Sequence, residues 1–169
     1  MVDRVLDERA QALLDLCRRK KLTVAAAESC TGGLVAATLT GIPGSSRVFD
    51  RGFVTYSNAA KQTMLGVPGP ILERFGAVSR ETAEAMATGA LAQAPADLVV
   101  AITGIAGPGG AVAGKPVGLV HFAAASRSGQ LTHRVQEFGD VGRAQIRRLS
   151  VLQALAMLHD VASTEPPRR

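Results

Sequence analysis

The stretch Leu22-Thr-Val-Ala-Ala-Ala-Glu-Ser-Cys-Thr-Gly-Gly33 decides how this chain is read. Its first six residues are short, apolar and bounded by polar neighbours, the pattern of a strand buried on both faces. The run stops at Glu28, and the glycine pair at 32–33 precedes a second apolar segment, to about Thr40, that reads as a helix. A buried strand therefore turns sharply into a helix near Ser29.

Upstream, Val5, Leu6, Ala10, Leu13, Leu14 and Cys17 recur at three- and four-residue spacings, which predicts an amphipathic helix over 3–20 covering one face of a sheet. Downstream, Val48 to Tyr56 reads as a strand, and Ser57-Asn58 opens a short helix that contains Lys61 and ends at Gly66 to Pro70. Ser79 is placed to cap a helix from Arg80 to Ala92, Asp97 to Ile102 is a further buried strand, and a glycine-rich loop, Gly104 to Gly110, follows it. Val117 to Ala125 and Leu131 to Phe138 read as strands joined by a turn at Ser126 to Gly129, and Gly142 to His159 as a closing helix. Helices alternating with buried strands predict an α/β fold: a three-layer α/β/α sandwich around a mixed, mostly parallel sheet of about five strands. We expect one domain over residues 1–163, with 164–169 a flexible tail.

Composition narrows the function classes. Hydrophobic residues at 47% and charged residues at 20% are those of a packed globular domain, which excludes disordered, coiled-coil and collagen-like chains. No segment reaches the roughly 18 apolar residues of a membrane span. The N-terminus mixes acids and bases where a signal peptide would be apolar, so no membrane association and a cytoplasmic location are expected. Cys17 and Cys30 form no CxxC, and His121, His133 and His159 are scattered, so neither a disulfide framework nor a metal site is expected. The net charge of +5 favours anionic partners. Nucleic acid is disfavoured among them, because aromatics are only 4% of the chain and Arg18-Arg19-Lys20-Lys21 reads as the cationic end of the first helix.

In open α/β sheets, ligands bind beyond the carboxyl ends of parallel strands, and those ends carry Ser29, Tyr56 and Thr103. Ser29 is a candidate nucleophile, with the first-turn amides of Thr31, Gly32 and Gly33 as an oxyanion or anion site; a serine there is equally a good N-cap. No histidine stands near to act as its base. Lys61, in the first turn of its helix and disfavoured there in its charged form, is the candidate; the alternative is a surface lysine. Tyr56, the only tyrosine, could relay a proton between them or sit at the edge of the core. Cys30 is a competing nucleophile, and Arg143 could bind a phosphate or be a solvated helix residue. The loop after Thr103 is neither a GxGxxG nor a Walker loop.

Taken together, Ala26 to Gly33, Pro43-Gly-Ser-Ser46, Gly52 to Asn58 with Lys61, Val78-Ser79, Thr103 to Pro108 and Lys115-Pro-Val-Gly118 resemble, in order and spacing, the CinA C-terminal domain family over nearly the whole chain. The resemblance is to the stand-alone form of the domain. It implies a three-layer α/β/α fold and a metal- and cofactor-independent amidase that hydrolyses nicotinamide mononucleotide to nicotinate mononucleotide and ammonia. It further implies Ser29 as nucleophile activated by Lys61 and Tyr56, Thr31 to Gly33 amides holding the oxyanion, and Glu28, Ser46 or Ser45, Thr103, Gly104 and Arg143 at the substrate. The rival reading is a non-catalytic nucleotide-binding or DNA-uptake accessory module; a homo-oligomer is compatible with either.

Overall fold

A computed structural model of the chain describes residues 3–169, so the first two residues of the expected domain lie outside the described residues. The elements run α1 (Arg4–Lys20), β1 (Val24–Glu28), α2 (Leu34–Thr40), a 3-10 turn (Ser45–Arg47), β2 (Phe49–Val54), α3 (Asn58–Leu65), α4 (Gly69–Phe75), α5 (Arg80–Gln93), β3 (Leu98–Gly104), β4 (Leu119–Ser126), β5 (Leu131–Glu137) and α6 (Arg143–Thr164). The strands form one sheet in the order β2-β1-β3-β4-β5. β1 is parallel to both β2 and β3, whereas β3–β4 and β4–β5 are antiparallel. This is the expected mixed α/β sheet of five strands.

The side-chain period of two sorts the central strands between two cores. Val24, Ala26, Val100, Ile102 and Phe122 face α1 and α6, where they meet Leu13, Leu14, Ile146 and Leu155. Ala25, Ala27, Val99, Ala101 and Ala123 face the other way, toward Met86, Ala87 and Ala90 of α5, Leu65 of α3 and Leu72 of α4. Apolar residues are needed on both sides, which is why β1 and β3 read as unbroken hydrophobic runs. None of the described helices is long and apolar enough to cross a membrane.

Some elements differ from the sequence-based expectation. The stretch expected only to end α3 contains a further helix, α4: Gly66, at φ 66°, closes α3 in the left-handed region, and Pro70 then sits in the first turn of the new helix. α6 continues to Thr164, and the start of the expected tail is docked. Glu165 is buried, its carboxylate accepting from the Ser128 hydroxyl at 2.7 Å and the Gln130 amide at 2.8 Å. Val5 is exposed, outside the buried stripe of α1 formed by Ala10, Leu13, Leu14 and Cys17. Of the basic run, Lys20 donates through Nζ to the carbonyls of Ala162, Ser163 and Glu165 at 2.7–2.8 Å, closing the C-terminus of α6.

Candidate active site

The parallel strands β1, β2 and β3 end on the same side, and the strand-to-helix elbow after β1 is built there. Ser29 donates its N–H to Ile102 O on β3 at 3.0 Å, and Gly32 donates back to Ser29 O at 3.0 Å. Gly32 and Gly33 take φ of 56° and 98°, the left-handed region in which a side chain is disfavoured, and this lets the chain reverse into α2 within a few residues. Beneath the turn, the fully buried Glu28 carboxylate accepts from the amides of Gly33 and Val35 at 3.0 Å and of Ala36 at 2.9 Å. An acidic side chain thus satisfies the orphan donors at the start of α2.

From α6, Arg147 donates Nε to Cys30 O at 3.2 Å and Nη2 to Thr31 O at 2.9 Å. Among the described residues, the elbow amides left without an acceptor are those of Cys30 and Thr31. Of these, Cys30 lines the cleft, whereas Thr31 is fully buried, so the Cys30 N–H is the elbow donor placed to meet a ligand.

Lys61 reaches this elbow from α3. Ser57 caps that helix by accepting the Ala60 N–H at 3.0 Å, which turns Lys61 inward. Its side chain is only 1% exposed, and Nζ lies 3.0 Å from Ser29 Oγ and 2.8 Å from Thr55 O. Burial lowers its pKa from the ordinary 10.5, only partly opposed by the Cys30 thiol beside it. A neutral amine here keeps one N–H on Thr55 O and turns its lone pair to the Ser29 hydroxyl. Burial pushes the Cys30 thiol up to about 11, so it is held as the thiol rather than as a thiolate.

A cavity of about 280 Å³ opens above these groups, lined by Ser29, Cys30, Tyr56, Lys61, Thr103, Arg143 and parts of the Ala77-Val78 and Gly104 to Gly110 loops. Thr103 donates its hydroxyl to Ala77 O at 2.6 Å, and Lys115 Nζ donates to Phe75 O at 2.5 Å, so both walls are tied together. A Cβ at Gly104 would stand 2.7–2.9 Å from Val120 and Leu119, so close strand packing excludes any larger residue from this part of the floor. Arg143 crosses the mouth, donating to Gly107 O and to the Tyr56 hydroxyl, each at 2.9 Å.

Of the residues the sequence nominated, the structure gathers Ser29, Lys61, Tyr56, Thr103, Gly104 and Arg143 around one cleft. It does not place a relay through Tyr56: Ser29 and Lys61 touch directly, and the tyrosine hydroxyl, on a side chain 60% exposed, is engaged by Arg143. Glu28 is not at the cleft, because its carboxylate is fully used on α2. Thr31 is buried, and the Gly32 and Gly33 amides are bonded to Ser29 O and Glu28. Ser45 and Ser46 lie at the far end of the sheet, since they enter β2, whose parallel pairing sets Phe49 beside Val24 and Val54 beside Glu28. Sequence reasoning missed Arg147; its one signal was the four-residue spacing from Arg143, which puts both on one face of α6.

The model of the CinA C-terminal domain matches residues 6–162. The chain belongs to the CinA C-terminal domain family. A CinA-like protein of Synechococcus sp. strain RCC307 is 51% identical over 90% of this chain, and one of Akkermansia muciniphila is 47% identical over 88%. The chain spans about 36% of the length of each of these curated relatives. Among solved structures, the competence/damage inducible protein CihA from Agrobacterium tumefaciens superposes with a TM-score of 0.94 at 50% identity, covering 97% of this chain and 99% of that one. A CinA superfamily protein from Klebsiella pneumoniae gives 0.90 at 32% identity, covering 95% and 99%. These relatives are named for the CinA family or for competence and damage induction, without an amidase activity.

Proposed function

We propose that the chain is a serine amidase that hydrolyses the carboxamide of nicotinamide mononucleotide to the carboxylate and ammonia. The observation that carries this reading is the buried Lys61 Nζ, 3.0 Å from Ser29 Oγ, at the floor of the cleft. A serine hydroxyl is a weak nucleophile until a base takes its proton, and a lysine whose charged form is disfavoured by burial is suited to be that base. Ser29 Oγ attacks the carboxamide carbon, its proton passes to Lys61 Nζ, and the carbonyl oxygen becomes an oxyanion stabilised by the Cys30 amide of the elbow. The C–N bond then breaks and ammonia leaves with the proton from Lys61. Water adds to the ester carbon by the same route in reverse, releasing the acid and restoring Ser29.

The mononucleotide fits the electrostatics of the cleft. Arg143 stands exposed at the mouth with its guanidinium available to a phosphate, and the net charge of +5 favours an anion. No metal or cofactor enters the steps. Ammonia release from nicotinamide mononucleotide, with chelator present, is expected from the wild type and is expected to fall by at least about 10³-fold in Ser29→Ala. Equal rates in the two proteins, or no release by a folded wild type, would remove the reading.

A further inference from the structure

Part of the cleft lining is the loop between α4 and α5, and the sheet holds that part by one bond. Ala77 and Val78 of this loop line the cleft and, with Ile105 and Ala106, supply its aliphatic side chains. The two residues before them are tied separately. Phe75 O accepts from Lys115 Nζ at 2.5 Å, and Gly76 O accepts from the hydroxyls of Ser79 at 3.1 Å and Thr82 at 2.7 Å. Ala77 and Val78 themselves make a single hydrogen bond among the described residues, from the Thr103 hydroxyl to Ala77 O at 2.6 Å. That hydroxyl comes from a fixed point: Thr103 is buried near the end of β3, paired with His121 of β4, and the strand period turns its side chain, like that of Ala101, toward α5. A hydroxyl carries one proton, and this one is spent on the loop, so Thr103 has no donor left for a ligand.

We propose that Thr103 is a positioning residue that sets the cleft for the substrate's ring by holding the Ala77–Val78 wall, and that its hydroxyl is not itself the contact to the carboxamide. This rests on the amidase reading above. A flat ring gains dispersion contact from an aliphatic wall only at van der Waals distance, and a gap of about 0.5–1 Å forfeits roughly a quarter to a half of it. The Ser29–Lys61 pair is held elsewhere, through Ile102 O and Thr55 O, so the reacting groups stay in place when the wall is released. Such a release weakens ground state and transition state alike, which is read in KM and not in kcat. Lys115, Ser79 and Thr82 keep the start of the loop and the cap of α5 in place, so only the stretch facing the cleft depends on Thr103.

The test compares wild type with Thr103→Val, which keeps the shape and loses the hydroxyl, and with Thr103→Ser, which keeps the hydroxyl, after checking that each unfolds cooperatively. In steady-state ammonia release from nicotinamide mononucleotide, Thr103→Val is expected to raise KM about tenfold with kcat held within about threefold, and Thr103→Ser to stay within about threefold of wild type in both. In the ligand-free proteins, nitrogen-15 relaxation should give order parameters at Ala77 and Val78 of about 0.85 in wild type and Thr103→Ser, and below about 0.6 in Thr103→Val. A KM rise in Thr103→Val with those order parameters unchanged would mean that the hydroxyl meets the substrate directly, and would overturn the assignment. A folded Thr103→Val with wild-type KM, or with a loss confined to kcat, would overturn it too, and each of these results leaves the amidase reading intact. A wild type that releases no ammonia would contradict the amidase reading itself, and the role given to the wall with it.

Discussion

Replacing Glu28 by alanine removes the acceptor for three backbone amides at a position only 1% exposed, a change whose cost can be worked from the structure. Loss of an ordinary side-chain cap costs up to about 2 kcal/mol, and a hydrogen bond to a charged group is worth about 1.5–3 kcal/mol. Water entering the vacated space recovers part of this, so about 2–4 kcal/mol is the expected loss for Glu28→Ala. In a domain of this size that corresponds to a melting temperature lower by about 5–15 °C. Glu28→Gln keeps the volume and one acceptor oxygen but turns an NH2 toward amide donors, so it should fall between alanine and wild type. Urea unfolding followed by far-ultraviolet circular dichroism measures all three, with the denaturant slope checked for constancy. A Glu28→Ala protein within about 0.5 kcal/mol of wild type would refute the view that this carboxylate holds the elbow.

Other outcomes follow from the same geometry. Lys61 has a folded pKa below the 10.5 of the unfolded chain, so the unfolded chain binds more protons between those values and stability rises with pH across that interval. Urea midpoints between pH 7 and pH 9 should therefore rise more steeply for wild type than for Lys61→Met, and the variant should be the more stable at pH 7. With burial raising the thiols of Cys17 and Cys30 to about 12 and 11, iodoacetamide at pH 8 should add nothing to the folded protein and two adducts to the unfolded one, read by intact mass. Since Tyr56 contacts Arg143 and not the Ser29–Lys61 pair, Tyr56→Phe should keep kcat within about threefold of wild type and act on KM instead, as steady-state kinetics will show.

The architecture was legible because it rests on local pattern. Unbroken apolar runs at residues 24–27 and 98–102 marked the two-faced strands, Ser57-Asn58 and Ser79 marked the starts of their helices, and Gly32-Gly33 marked the turn. Convergence of Ser29, Tyr56 and Thr103 on one cleft followed from the strand ends. What the sequence concealed was long-range or bifunctional. Glu28 sits beside Ser29 and invites a role at the ligand, but a residue at the end of β1 can also turn under the strand and cap the following helix. Nothing local shows that Arg147 reaches a turn more than a hundred residues earlier. Ser45 and Ser46 were grouped with the site by resemblance, and only the parallel register of β1 and β2 puts them at the opposite end of the sheet. The helix α4 was hidden because Gly66 and Pro70, read as one terminator, act as the stop of one helix and the start of the next.

The central claim is that Lys61, neutral in the cleft, is the base for Ser29, and the pH dependence of kcat/KM on nicotinamide mononucleotide tests it most directly. The neutral amine is the active form, so log(kcat/KM) should rise with unit slope to a plateau whose inflection lies clearly below 10.5, and Lys61→Met should lose both the limb and the turnover. An inflection at or above 10.5, or a Lys61→Met protein that turns over at the wild-type rate, would contradict the account.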